Sequence, residues 1–551
     1  MPLVIQGATS GQATVQATDA QTVTITLPAT SGTLSVSGGS PSFSTITTTN
    51  DASISGLTVG KGGGAVSGNV LVNTSALSAN TTGSNLVAVG DRALNANTTG
   101  NGNSAYGYLS LYANTTGSNN TGLGGTSLIG NTTGSYNTAV GYDSLRSNTT
   151  ASNNTAVGYQ AGYTNATGTA LTAIGKSAGQ VYNTNGTENA GSTFVGANAG
   201  RFATTATDNA FLGAQAGYST TTGSTCTAVG SQALYSNTTA NYNTAIGQLS
   251  LYTNTTATQC VAVGNSALYN SNSGGTTAIG YQAGYKVTSI TGNSWYSTFI
   301  GNSAGYSITT GWDNVAVGAF ALGQTSATNT GNNNTAIGTA ASYQCTTGSN
   351  NTVVGYQGLY SGTSAGDVVS IGKSAANSLQ TGSSDIYIGN ATTASSSSAT
   401  AEIVIATNGA TGKGNNTGFI QPSGGGVYQG NNSAAWSVAS DQRLKKNIVD
   451  NTVGLEAISQ IQVRNFEYRL PEEVTELPTH SAIDIKGVQI GVIAQELQAI
   501  LPDCVKTEST GVMSVDESSL TWHLVNAIKE LNTLAQTQAA QIAALTAKVG
   551  A

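Results

Sequence analysis

The chain has 551 residues, 71 of them glycine, with only 17 basic and 24 acidic side chains and a net charge of −7. That charge leaves no basic footprint for nucleic acid, and no stretch approaches the about 20 apolar residues of a membrane helix. The charged residues divide unevenly, 18 before Ser440 and 23 in the 112 residues from Ser440 onward, which marks a boundary between two kinds of sequence.

Residues 1–64 lack a basic stretch followed by an apolar one, so no secretory signal is read and exit from the producing cell is expected by lysis. Thr22 to Leu27 alternates threonine with apolar residues, as a β-strand does, between Gly/Ser turns. We read 1–64 as a β-rich attachment region.

Residues 65–408 repeat. Aligning the glycine after each short apolar run gives Gly90, Gly107, Gly124, Gly141, Gly158 and Gly175, each 17 residues after the last. The series resumes at Gly196 and runs to Gly389, with Asn73 in the equivalent place one turn earlier, nineteen registers in all. Each unit reads Asn-Thr-Ala-Val-Gly-Tyr-x-Ala-Leu-Tyr followed by a polar turn. The expectation is a β-solenoid with about two short strands per unit and glycine wherever the turn needs positive φ. Stacked in phase, Asn80, Asn97, Asn114, Asn131 and Asn148 form a column whose amides bond to the turns above and below. Cys226 and Cys260 lie 34 residues apart, two turns or ~10 Å, too far to bridge. The pattern at Asn154-Thr155-Ala156-Val157-Gly158 resembles the head repeats of trimeric autotransporter adhesins and the shafts of phage tail fibres, which implies a trimeric β-roll fibre.

Tyrosines recur five places after the marker, at Tyr112, Tyr163, Tyr218, Tyr235, Tyr252, Tyr269, Tyr285, Tyr306 and Tyr360. They are read as an aromatic column, either a structural stack or a sugar-binding stripe. Extra residues fall at 180–189, 286–296 and 323–333, always in the same part of the repeat, so they protrude from one face. Trp295, Tyr296 and Trp312 sit beside that edge and are candidate receptor contacts. A polysaccharide hydrolase needs paired carboxylates, whereas Asp208, Asp313 and Asp367 share a phase without a second acid in their own repeats.

A Gly-rich linker is expected over 409–439. The tail, 440–551, opens with Ser440-Asp441-Gln442-Arg443-Leu444-Lys445. It continues through Gly454-Leu455-Glu456-Ala457-Ile458, Phe466-Glu467-Tyr468, Gly491 to Glu496, Leu501-Pro502 and Ala527 to Leu531. In this order the set resembles the intramolecular chaperone domain that ends phage tailspikes and fibres, including endosialidase tailspikes. The resemblance implies that the tail assembles three chains and then cuts the Ala439 to Ser440 bond as a single-turnover serine auto-endopeptidase. It makes Ser440 the nucleophile and Lys445 the base. Five residues is a poor helical spacing, so the segment must turn to bring the two together. Arg443 and Lys446 are candidates to depress the lysine, unless solvated or paired with Asp441, and His480 is a candidate to assist proton transfer. A coiled coil is expected over about 518–549, with a three-four seam from Thr521 through Leu524, Ile528, Leu531, Ala535, Gln538, Ile542 and Leu545 to Val549.

The fold expected is therefore mainly β, a 17-residue-repeat solenoid followed by a small α+β domain ending in a coiled-coil helix. The function expected is a phage tail fibre for host attachment: a homotrimer in the virion, made in the host cytoplasm and acting outside. Its partners are a bacterial surface glycan or protein and other tail proteins at the N-terminal end, with no nucleic acid and no membrane insertion. No cofactor and no metal site is expected. The alternatives are a tailspike depolymerase and a bacterial surface adhesin. A membrane-tethered transcription regulator with the same tail lacks its membrane helix and basic surface.

Overall fold

The computed structural model describes residues 52–54, 57–184, 191–288, 296–422, 427–429, 436–437, 440–476, 486–507 and 511–550. The chain divides into two compact units, Met1–Val438 and Ala439–Ala551.

Each Thr-Ala-Val-like triplet of the first unit is a three-residue strand, paired in parallel and in register with the triplet one turn on, as Thr138, Ala139 and Val140 pair with Thr155, Ala156 and Val157. Alternation across the strand turns the middle residue inward, where it is buried, and leaves the outer two at the surface. Among the described residues 21 parallel strands run from Val70–Val72 to Gly418–Gln421, the last three lengthened to five, six and four residues. At ~4.8 Å per step the ladder is roughly 100 Å long. The second strand expected in each unit is absent among the described residues; left-handed corners take up the rest of the turn.

The marker glycines adopt φ near +130°, as at Gly247 (φ +132°), which L side chains rarely adopt. A Cβ there would also overlap the backbone of Gly264, one turn on. Elsewhere the expectation of glycine at positive φ fails. Leu94, Leu111, Leu128 and Leu145, four places after the marker, all have φ between 46° and 53° and are fully buried. A left-handed leucine costs about 1–2 kcal/mol and its full burial returns about 1.5–3, so the core overrides local preference. Glycine takes this place in every turn whose inward strand residue is phenylalanine. At Gly217 and Gly305 a Cβ would run into the rings of Phe211 and Phe299, so strand and corner exchange volume within a turn.

The asparagine column forms as expected: Asn97, Asn114, Asn131 and Asn148 each donate to the Oδ1 of the preceding one at 2.7–3.0 Å. A second inner column, four places before the marker, escaped the sequence reading. Asn120 accepts the backbone N–H of Asn137 at 2.9 Å and donates to the Gly134 carbonyl at 2.8 Å. These amides satisfy buried backbone groups that the short strands leave unpaired. Cys226 and Cys260 occupy the same column as buried free thiols, each pushed up to about 11 by burial.

Both ends of the parallel ladder are closed by antiparallel pairing. Leu57–Gly60 pairs with Val70–Val72 at one end, and Val427–Gln429 with Gly418–Gln421 at the other. A turned-over strand removes the open parallel edge that would invite wrong pairing. The segment expected as a linker from 409 is thus partly strand.

The second unit is α+β. Helix α1 (Leu455–Ile458), a hairpin of Arg464–Phe466 with Gln489–Gly491, helix α2 (Ala494–Ile500), a hairpin of Val505–Thr507 with Met513–Val515 and helix α3 (Glu517–Val549) follow in order. Leu497, Leu501, Cys504 and Val505 form its core, with Ala457, Ile458, Val492 and Leu520 packed against them. Asp516 caps α3 by accepting from the backbone N–H groups of Ser518 and Ser519. Among the described residues no helix is long and apolar enough to cross a membrane.

Candidate active site

At the start of the tail, Asp441 turns the chain. Its carboxylate accepts the Arg443 backbone N–H at 2.8 Å and caps a short 3-10 turn over Gln442–Leu444, which closes with Lys445 N–H on the Gln442 carbonyl at 3.1 Å. The turn brings Lys445 Nζ to 2.8 Å from Ser440 Oγ. Arg443 folds back on Asp441 through its Nε and Nη2, and these hydrogen bonds hold the carboxylate below its ordinary range. The Arg443 charge is therefore paired with Asp441. Ser440, Lys445 and Lys446 are all exposed, and so are Leu444, Ile448 and Val449, the last at 85 %. Ala439 and His480 lie outside the described residues.

The motifs that follow have physical partners in α3. Glu530 accepts the Leu455 backbone N–H at 2.7 Å, capping α1. Gly454 leaves room for that carboxylate, since a Cβ there would overlap it. Asn526 donates to the Asn451 carbonyl at 2.8 Å. Arg464 pairs with Glu496 at 3.0 Å, tying the first hairpin to α2. His523, which the sequence reading passed over, is buried between the Val453 carbonyl (3.2 Å from Nδ1) and Asp503 (2.9 Å from Nε2). Burial opposes its charge, but Asp503 and that carbonyl outweigh burial and raise its pKa. Asp503, Cys504 and His523 bring ligand-type atoms within 4.8 Å of one another. With both ring nitrogens already facing acceptors, the cluster works as a clamp between α3 and the two loops.

In the shaft, Tyr296 is 71 % exposed and Trp312 half-buried with its backbone tied to Asn332 and Asn333; Trp295 lies outside the described residues. Lys286 Nζ reaches the Thr325 carbonyl at 3.2 Å, which joins two of the three insertions. The tyrosines from Tyr218 to Tyr306 stack with centroids 5.0–5.2 Å apart. Tyr343, absent from the sequence series, stacks on Tyr360.

Residues 440–506 match the family model described as chaperone of endosialidase. No curated protein and no solved structure matches the chain. A β-solenoid shaft followed by a segment that matches the chaperone-of-endosialidase family, a family of self-cleaving chaperone domains, fits a tailspike-like or fibre-like protein.

Proposed function

From a chain that joins a β-solenoid shaft to a chaperone-of-endosialidase domain, we propose a homotrimeric phage tail fibre for host attachment, carried in the virion. Its tail assembles the trimer and then cuts the Ala439 to Ser440 bond. The observation that carries the cleavage is the 2.8 Å contact between Lys445 Nζ and Ser440 Oγ. A lysine becomes a general base only when desolvation or positive neighbours favour its neutral form. In the single chain both side chains are exposed. The apolar Leu444, Ile448 and Val449 around them supply a surface that partner chains would cover, drying the site, so cleavage follows assembly.

In the proposed step neutral Lys445 takes the Ser440 hydroxyl proton and Oγ adds to the Ala439 carbonyl. The C–N bond breaks, the Ser440 nitrogen receives the proton, and water hydrolyses the resulting ester. The products are a shaft ending in the Ala439 carboxylate and a tail beginning with the Ser440 amine.

Trimerisation draws support from two exposed apolar stripes. The outward third residue of each shaft strand is aliphatic over most of the ladder, as in Ile174, Leu212, Ile246, Ile279 and Ile337, each 38–50 % exposed. The α3 seam leaves Leu524, Ile528, Leu531, Ile542 and Leu545 exposed among the described residues. Stripes of this length mark interaction surfaces; the number three rests on the family resemblance. Receptor contact at Tyr296 and Trp312, with the neighbouring Trp295, belongs to the same reading. Hydrolysis by the shaft is disfavoured, because its acids one turn apart, Asp385 and Glu402, are fully buried and out of reach of a glycan.

The test is intact mass spectrometry of the full chain beside Ser440→Ala and Lys445→Ala. A 112-residue fragment beginning at Ser440 is expected from the unsubstituted chain alone. An uncut chain that still forms a soluble trimer would remove the protease and leave the chaperone.

A further inference from the structure

Beyond Asn351 the second amide column of the shaft passes through Val368 to two acids, Asp385 and Glu402. At Asn334 and Asn351 the side-chain oxygen accepts the backbone N–H one turn on, at 3.1 and 3.0 Å. The nitrogen donates to the carbonyl 14 residues on, Gly348 and Ala365, at 2.9 and 2.8 Å. Asp385 holds the same place in its turn, and its Oδ1 accepts the Glu402 N–H at 2.8 Å. Its Oδ2 stands where the other turns put the amide nitrogen. A Cβ built on the glycine three residues earlier lies 3.1 Å from Asn334 Nδ2, 3.3 Å from Asn351 Nδ2 and 2.9 Å from Asp385 Oδ2. The same Cβ positions face the Gly348, Ala365 and Ala399 carbonyls in turn. Asp385 Oδ2 therefore points toward a carbonyl oxygen that the amides of Asn334 and Asn351 meet with a donor in their own turns.

Asp385 is fully buried, and its Oδ2 has no hydrogen-bond partner. The titratable groups facing it are Glu402 from the next turn and Tyr387 from its own strand. No cation pairs with either acid among the described residues. Glu402 is differently placed: it accepts from Tyr387 OH at 2.9 Å, Ser395 N at 3.1 Å and Gly414 N at 2.8 Å, a set of donors that suits an ionised carboxylate. Two acids in one dry column do not both ionise readily, and their surroundings assign the charge to Glu402.

We infer that Asp385 carries a proton in the folded shaft and donates it from Oδ2 to the Ala399 carbonyl, so that the last rungs form a lock that loosens when the proton leaves. The direction of titration agrees: burial first, with the Glu402 charge beside it, pushes Asp385 up to about 6. A folded value above the unfolded one means that this stability is complete below about pH 4 and is lost as pH rises through about 6.

Hydrogen-exchange mass spectrometry on the full chain tests this between pH 4 and 8, corrected for intrinsic exchange and read on peptides covering 383–406. Local opening of the unsubstituted chain is expected to rise on the order of a hundredfold across that range. Asp385→Asn, which supplies the donor at every pH, stays protected throughout, while Asp385→Ala is open throughout. An infrared band of a protonated carboxylic acid is expected at pH 6 and absent from Asp385→Asn. Equal pH dependence in the parent and the Asn variant would overturn the proposal. So would an Asn variant as open as the Ala variant, or protection that follows added cations instead of pH.

Discussion

Gly247 is the residue where backbone geometry and stacking constrain the sequence together. Its φ of +132° is nearly closed to other residues, and an added methyl group would meet the Gly264 carbonyl one turn on. Gly247→Ala is expected to cost about 3 kcal/mol or more, strain and overpacking combined, read as a lower thermal midpoint or lower soluble yield of the shaft. A periodic glycine was legible as a mark of something the backbone needs. The left-handed leucines were not, because only the packed core makes their strain worthwhile. Asp208, Asp313 and Asp367 look like spaced acids in the sequence, yet each sits at a left-handed corner, five places before the marker, with φ of 53–58°. Short polar side chains tolerate that conformation, so their common phase has a structural cause. The acid pair that does come together, Asp385 and Glu402, is 17 residues apart in sequence and visible only once the turns are stacked.

Among the elements, α3 carries the exposed apolar seam that the proposed trimer would cover. Over 33 residues, about 50 Å, it presents an apolar seam, with Ile528 66 % and Leu545 61 % exposed. Replacing Ile528 and Leu531 together by Asp is expected to abolish trimer formation, measured by sedimentation. Under the proposed order of events it also abolishes tail release. Persistent cleavage in such a monomer would show that the dyad needs no partner. The three-four spacing made this seam readable, whereas the Glu530 cap on α1 and the His523 contact with the Val453 carbonyl join residues 75 and 70 positions apart and carry no local signal.

For the whole molecule, the parallel ladder is made of contacts between neighbouring turns, and its register has to be set before it grows. Under the proposed function, a tail that gathers three chains would lower the entropic cost of that first alignment. Under the same reading, cutting the tail away would remove the route back, so a cleaved fibre is expected to unfold more slowly in denaturant than Ser440→Ala, which would keep its tail. Equal unfolding half-lives would leave assembly as the tail's sole contribution.

The sequence by itself determined the solenoid, its 17-residue period, the first asparagine column, the boundary near Ser440 and the motif that places a serine five residues before a lysine. Each of these is a periodic or local pattern, and such patterns survive in one dimension. Only the tertiary structure decided that each turn carries one strand, that a second amide column runs beside the first, that the ladder continues to Gln421, and that Asp385 Oδ2 is left without a hydrogen-bond partner on the side of the Ala399 carbonyl. Those depend on which atoms of successive turns meet across ~4.8 Å, and spacing along the chain does not report that distance.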